Sequence, residues 1–154
     1  MKSELAIQDL IYHNNCYGCG TDNDKGLQIK SYWRDELTTH CRFTAQPHHS
    51  AGPLKYLNGG IIATVIDCHA VCTATAKAYL EEGRAVGNGE KIWFVTGKLD
   101  LNYLKPTILS KEILVTAHIE EVKEKKIVLM CELFSEGEVC VKANVIAVRV
   151  PNNW

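Results

Sequence analysis

Asp67 sits inside an otherwise uncharged run, Ile61-Ile62-Ala63-Thr64-Val65-Ile66-Asp67-Cys68-His69-Ala70-Val71-Cys72-Thr73-Ala74-Thr75-Ala76, which lasts until Lys77. Burying an unpaired carboxylate costs several kcal/mol, and Asp is rarely buried without a partner or a task. One reading is structural, with the carboxylate bonded to backbone or to the neighbourhood of His69. The other is chemical, because a carboxylate in a dry site can activate water or attack an electrophile directly. A second constellation is His13-x-x-Cys16-x-x-Cys19, which offers three zinc-ligand types in a turn-rich context, with His48 or His49 as a distant fourth. A lone CxxC without a second pair does not define a zinc site, so the sequence assigns no metal.

These groups need elements to hold them. Asn58-Gly59-Gly60 followed by a long run without Gly or Pro predicts a helix over about 59–80, with Asn58 capping its first free N–H groups. Its apolar residues form no single stripe: Ile62, Ile66, Ala70 and Ala74 fall on one side, Ile61, Val65, Cys68 and Cys72 on another. A helix apolar all round is buried on most sides. Ahead of it, residues 1–11 read as a short amphipathic helix with Leu5, Leu10 and Ile11 inward. Residues 16–26 are turn chemistry, and a strand starts at Leu27, where Leu27, Ile29, Ser31 and Trp33 alternate with Gln28, Lys30, Tyr32 and Arg34. Residues 37–45 form a second strand, and residues 46–57, with Pro47, His48-His49 and Pro53, a loop. After the helix, residues 92–104 read as a long strand in which Trp93, Val95, Gly97, Leu99, Leu101 and Tyr103 share one face, stopped by Pro106. Strands over 113–120, 127–134 and 139–150 follow across short turns, as an antiparallel meander. Two strands, one long helix and four strands predict an α+β fold, a curved antiparallel sheet of about six strands wrapped round one central helix.

The 154 residues are expected to make one domain, with 1–26 as an amino-terminal extension carrying the CxxC turn. With 17 basic and 18 acidic residues the charge gives no case for nucleic acid or an anionic membrane surface. The first residues carry acids and lack the apolar core of a signal peptide, and the apolar run is shorter than a membrane span. Seven cysteines, an odd number, with no export signal, fit a reduced, cytoplasmic setting.

Asn58-Gly59-Gly60-Ile61-Ile62-Ala63-Thr64-Val65-Ile66-Asp67 resembles the His-Gly-Gly-x-x-Ala-x-x-x-Asp/Glu segment of the hotdog-fold acyl-CoA thioesterases, in the PaaI-like branch. Cys16-Tyr17-Gly18-Cys19-Gly20 with Asn23 and Gly26-Leu27, and Asp100-x-Asn102-Tyr103-Leu104-x-Pro106, are similar to segments of the same branch. The resemblance spans roughly residues 16–150 and departs at Asn58, where the branch usually has histidine. That departure removes any imidazole contribution and argues against the dehydratase branch, which uses that His as its base.

The resemblance implies hydrolysis of a fatty or aromatic acyl-CoA thioester, with coenzyme A as part of the substrate and no further cofactor. It implies that the Gly59 N–H binds the thioester oxygen, that Asp67 is base or nucleophile, and that Thr96 orients the attacking water. Gly60, His48 and His49 are candidates for the mouth of the site. Lys98, Lys105, Lys142 and Arg149 are candidates for the coenzyme A phosphates by charge; His69 is assigned to the core or to a supporting role. Gly59 and Asp67 are eight residues apart, about 12 Å along a helix, too far for one thioester carbon. A second copy of the helix, antiparallel across a two-fold axis, would bring Asp67 of one subunit to Gly59 of the other. A homodimer is therefore expected, with a homotetramer as the other assembly open. A different class of function, an acyl-CoA binding or sensing module without catalysis, uses the same fold.

Overall fold

The computed structural model describes residues 4–154. Its centre is α1, Gly59–Glu81, packed on one face of a six-stranded antiparallel sheet. In chain order the strands are β1 (Ser31–Trp33), β2 (Thr38–Phe43), β3 (Phe94–Tyr103), β4 (Ile113–Val122), β5 (Lys126–Ser135) and β6 (Glu138–Arg149). Their spatial order is β1-β2-β4-β5-β6-β3, so β4, β5 and β6 form the expected meander and β3 closes one edge.

Alternation explains which face meets the helix. Ile113, Val115, Ala117 and Ile119 of β4, Ile127, Leu129, Cys131 and Leu133 of β5, and Val141, Ala143, Val145 and Ala147 of β6 are all buried. Against them α1 sets Ile62, Val65, Ile66, Ala70 and Ala74. By length and composition α1 could cross a membrane, yet 61% of its most apolar window is buried inside the fold. Its own sheet does not wrap it completely: Ala63, Thr64, Asp67 and Val71, at helical spacing, form a stripe that stays half-exposed.

The amino-terminal segment covers another side of α1. The expected helix over 1–11 lies partly outside the described residues; within them it is a 3-10 turn, Ile7–Leu10, that buries Ile7 and Gln8. The strand expected from Leu27 is confined to Ser31–Trp33. Residues 27–29 bond backward instead of sideways: Leu27 N–H donates to Tyr17 O at 2.7 Å and Ile29 N–H to Gly18 O at 3.2 Å. Gln28 between them takes φ 53°, which no strand residue adopts.

A buried polar chain ties these layers together. Gln8 Nε2 donates to Ser31 Oγ at 2.8 Å, and Ser31 Oγ lies 2.7 Å from His69 Nδ1. On the other side of the ring, Nε2 is 3.1 Å from Thr39 Oγ1, which meets Thr73 Oγ1 at 2.6 Å. Thr73 then donates to the His69 carbonyl at 2.8 Å. One assignment satisfies every group: Ser31 O–H donates to Nδ1, Nε2–H donates to Thr39, and Thr39 O–H to Thr73. Burial pushes the His69 imidazole down to about 3, so it is the neutral ring this assignment requires. His69 belongs to the core.

The single face expected for residues 93–103 is broken. Thr96 pairs with Ala147 and Lys98 with Ile146, so Gly97 is an extra residue in a β-bulge. A Cβ there would meet Val148 Cγ2 at 2.6 Å, which is why glycine occupies it. Beyond the bulge the alternation has slipped by one, so Thr96 and Tyr103 both reach α1 despite their opposite parity.

Candidate active site

The start of α1 is built as its sequence demands. Asn58, extended at φ −60° and ψ 133°, accepts through Oδ1 from Gly60 N–H at 2.8 Å and Ile61 N–H at 3.2 Å. Its carbonyl accepts from Ile62 N–H at 3.1 Å. Of the four donors a helix start leaves over, the cap side chain takes those of Gly60 and Ile61, the Asn58 N–H is bonded to the preceding loop, and the Gly59 N–H is left over. Gly60, a candidate for substrate contact, has its N–H committed to the cap. Asn58 is itself positioned by its N–H, which donates to the carbonyl of His49 at 2.9 Å.

Tyr103 crosses this end of the helix, donating its hydroxyl to Gly59 O at 2.7 Å. Together with Tyr56, Leu57, Ile62, Lys105 and Thr107 these residues line an open cavity of roughly 340 Å³. Thr107 is 2% exposed and its hydroxyl has no partner among the described residues, so an acceptor or donor from a ligand would satisfy it.

Asp67 lies at a second cavity, of roughly 220 Å³, lined also by Thr96, Trp93, Val71, Cys16, Cys19, Cys68 and Cys72. Thr96 Oγ1 donates to Asp67 Oδ1 at 2.5 Å. Half-burial pushes the Asp67 carboxyl above its usual value, the Thr96 hydrogen bond pulls it back, and the nearby Cys19 raises it further. The thiols beside it share charge unequally. Hydrogen bonds from Cys16, Cys68 and Cys72 hold Cys19 well below the ordinary thiol range, and the same contacts push Cys68 and Cys72 up.

Within one chain the two halves therefore stand apart: Gly59 lines one cavity and Asp67 the other, as the helical rise requires. Thr96 is joined to Asp67, and Lys105 to the Gly59 cavity, where it also pairs with Glu138 at 3.2 Å. Lys98, His48 and His49 are not among the residues lining either cavity. His48 is exposed, whereas His49 is buried, accepting from Gln46 N–H through Nδ1 at 3.0 Å and stacked near Phe43. Lys142 pairs with Glu132 at 3.8 Å and Arg149 with Glu82 at 2.8 Å, so both are engaged on the protein itself.

Three contributors escape a reading of sequence alone. Tyr103 was visible only as part of a segment resembling the thioesterases; its reach to Gly59 depends on the bulge. Cys68 and Cys72 read as buried helix positions, and only folding brings them to Cys16 and Cys19. His13 of the His13-x-x-Cys16-x-x-Cys19 run is not in that cluster.

One long helix packed on an unclosed, six-stranded antiparallel sheet is the hotdog fold. Residues 54–142 match the model of the thioesterase superfamily, and the chain belongs to that family. A thioesterase superfamily protein from Shewanella loihica PV-4 is 32% identical, over 90% of this chain and 96% of its own, with a TM-score of 0.64. The E. coli PaaI protein from the phenylacetic acid degradation operon shares the fold at 14% identity, over 81% of each chain, with a TM-score of 0.65. A thioesterase from Haemophilus influenzae does so at 13% identity, over 82% of this chain and 80% of its own, with a TM-score of 0.65.

Proposed function

We propose that this protein is a cytoplasmic acyl-CoA thioesterase that works as a homodimer, each site joining Gly59 of one subunit to Asp67 and Thr96 of the other. The observation that carries this reading is the division of labour within one chain. The unused N–H lies in one cavity and the paired carboxylate in another. Neither half can hydrolyse a thioester alone.

The fold offers a way to join them. β3 is ten residues long and, among the described residues, bonded on one side only, to β6. A free edge of that length is a template for another strand. Pairing β3 with its symmetry mate would continue the sheet and lay two copies of α1 side by side in opposite directions. The half-exposed stripe around Asp67 would then be covered by the partner.

In the composite site the Gly59 N–H and the positive end of α1 stabilise the oxygen as the thioester carbonyl becomes tetrahedral. Asp67 takes a proton from water, the resulting hydroxide attacks the carbonyl carbon, and the C–S bond breaks to release coenzyme A thiolate, which recovers the proton. In the nucleophilic variant Asp67 attacks first, forming an anhydride that water opens. Thr96 spends its proton on Asp67, so it orients the carboxylate and keeps lone pairs to accept from water. No cofactor beyond the coenzyme A of the substrate is needed. Lys105, which lines the Gly59 cavity, is the cation we assign to its phosphates, exchanging Glu138 for them.

A thiol-release assay on a panel of fatty and aromatic acyl-CoAs tests the reading. Asp67→Asn should lower the rate by about 10²–10⁴-fold, the range for loss of a positioned base. Absence of hydrolysis by the parent chain, with acyl-CoA still bound, would favour the acyl-CoA binding module instead.

A further inference from the structure

Four of the seven cysteines line one cavity. Cys16 and Cys19 come from the turn ahead of β1, and Cys68 and Cys72 from α1, one helical turn apart on the same side. The Sγ atoms of Cys16, Cys19 and Cys68 all lie within 4.8 Å of one another, and Cys16 and Cys68 are 3.6 Å apart. Cys72, one turn along α1 from Cys68, lies outside that 4.8 Å group but lines the same cavity as the other three. A tetrahedral zinc with Zn–S bonds of about 2.3 Å holds its sulfurs about 3.8 Å apart, so these three need only slight contraction and Cys72 a turn of its side chain toward them.

The surroundings are built for this approach. Gly20 N–H donates to Cys16 O at 2.8 Å and closes the CxxC turn. Gly18 lies so near the helix that a Cβ would stand 2.3 Å from Cys68 Sγ; any larger residue would hold the turn away from α1. Asn14 holds two of these cysteines, one by its backbone and one by its sulfur. Its Oδ1 accepts from Cys16 N–H at 3.0 Å, and its Nδ2 donates to Cys19 Sγ at 3.6 Å.

We propose that Cys16, Cys19, Cys68 and Cys72 bind one Zn²⁺ as a closed, four-thiolate structural site. Zinc is the ion of choice because soft thiolates in tetrahedral array select it, and a disulfide would use two sulfurs and strand the other two. Binding releases the remaining thiol protons to solvent and leaves no open position for water, so the ion does no chemistry on a substrate. Its effect is to staple the amino-terminal segment to α1 at the residue next to Asp67. The site is independent of the thioesterase reading, because zinc content is measured without substrate.

Untagged protein purified under reducing conditions, without chelators, should carry one zinc per chain by plasma mass spectrometry. Replacement by Co²⁺ should give the intense visible bands of tetrahedral thiolate cobalt. Cys16→Ser, at an exposed position, and Cys72→Ser should each weaken zinc binding at least tenfold in competition with a chromophoric chelator, roughly the scale at which ligand-shell changes act. Cys140→Ser, outside the cluster, should leave binding unchanged, and circular dichroism should show all three variants folded. The assignment is overturned if the folded parent retains no zinc after loading and desalting, if Cys140→Ser loses as much affinity as Cys16→Ser, or if Cys16 is found in a disulfide under those conditions.

Discussion

Gly59 is the residue on which a clean test of the oxyanion role is available. It is the first residue of α1, where proline is tolerated because its fixed φ suits the helix and its missing N–H has no helical partner. Asn58 already holds the extended backbone that a residue before proline needs. A Cβ at Gly59 would meet nothing nearer than the Tyr103 ring at 3.6 Å, an ordinary contact. Gly59→Pro should therefore delete one donor and little else. Steady-state kinetics should show kcat lowered about 10²–10³-fold, the loss expected for one oxyanion donor, with the melting temperature nearly unchanged. An unaltered kcat would remove the Gly59 N–H from the mechanism. Asn58 matters here by being a cap: where the resembling enzymes carry histidine, this chain has the side chain that takes the N–H groups of Gly60 and Ile61 and leaves that of Gly59 over.

At the level of elements, β3 decides where the chemistry points. Its bulge at Gly97 puts Thr96 on Asp67 and, with the alternation reset, Tyr103 on Gly59. Gly97→Ala would force a methyl against Val148 Cγ2 at 2.6 Å and the Ile146 carbonyl at 3.2 Å. Urea denaturation should register a loss of about 1–3 kcal/mol, typical of overpacking, and kcat should fall because Thr96 loses its aim. Unchanged stability would mean that the strand repacks and that the bulge does not set the geometry. This element also marks the limit of what a sequence discloses. The helix, its cap, the order of strands and the meander follow from local punctuation and period, and the structure repeats them within a residue or two. A bulge is an insertion against a partner strand far along the chain, so the alternation of residues 93–103 could not reveal it. The shortened β1 has the same origin, since residues 27–29 are claimed by hydrogen bonds to the CxxC turn.

Across the whole molecule, the parts that matter most are those completed from a distance. His69 stood in the sequence as one more residue of a buried helix; its meaning comes from Ser31 and Thr39 on two strands, which hold the ring in place while burial keeps it neutral. The CxxC turn stood alone, and its second pair of sulfurs arrives from α1. Asp67 was legible as a misplaced acid, and on the proposed mechanism its spacing from Gly59 calls for a second chain, because a helix cannot shorten its own rise. The free edge of β3 and the half-exposed stripe on α1 are the surfaces on which that chain would sit. The central claim is thus that each site draws on two subunits, and subunit mixing tests it most directly. Gly59→Pro and Asp67→Asn chains, each nearly inactive, are unfolded together and refolded. Random pairing puts about half of the dimers in the mixed form, each with one of its two sites intact, so activity should return to about a quarter of the parent level. A mixture that forms mixed dimers yet stays as inactive as its components would contradict a site shared between subunits.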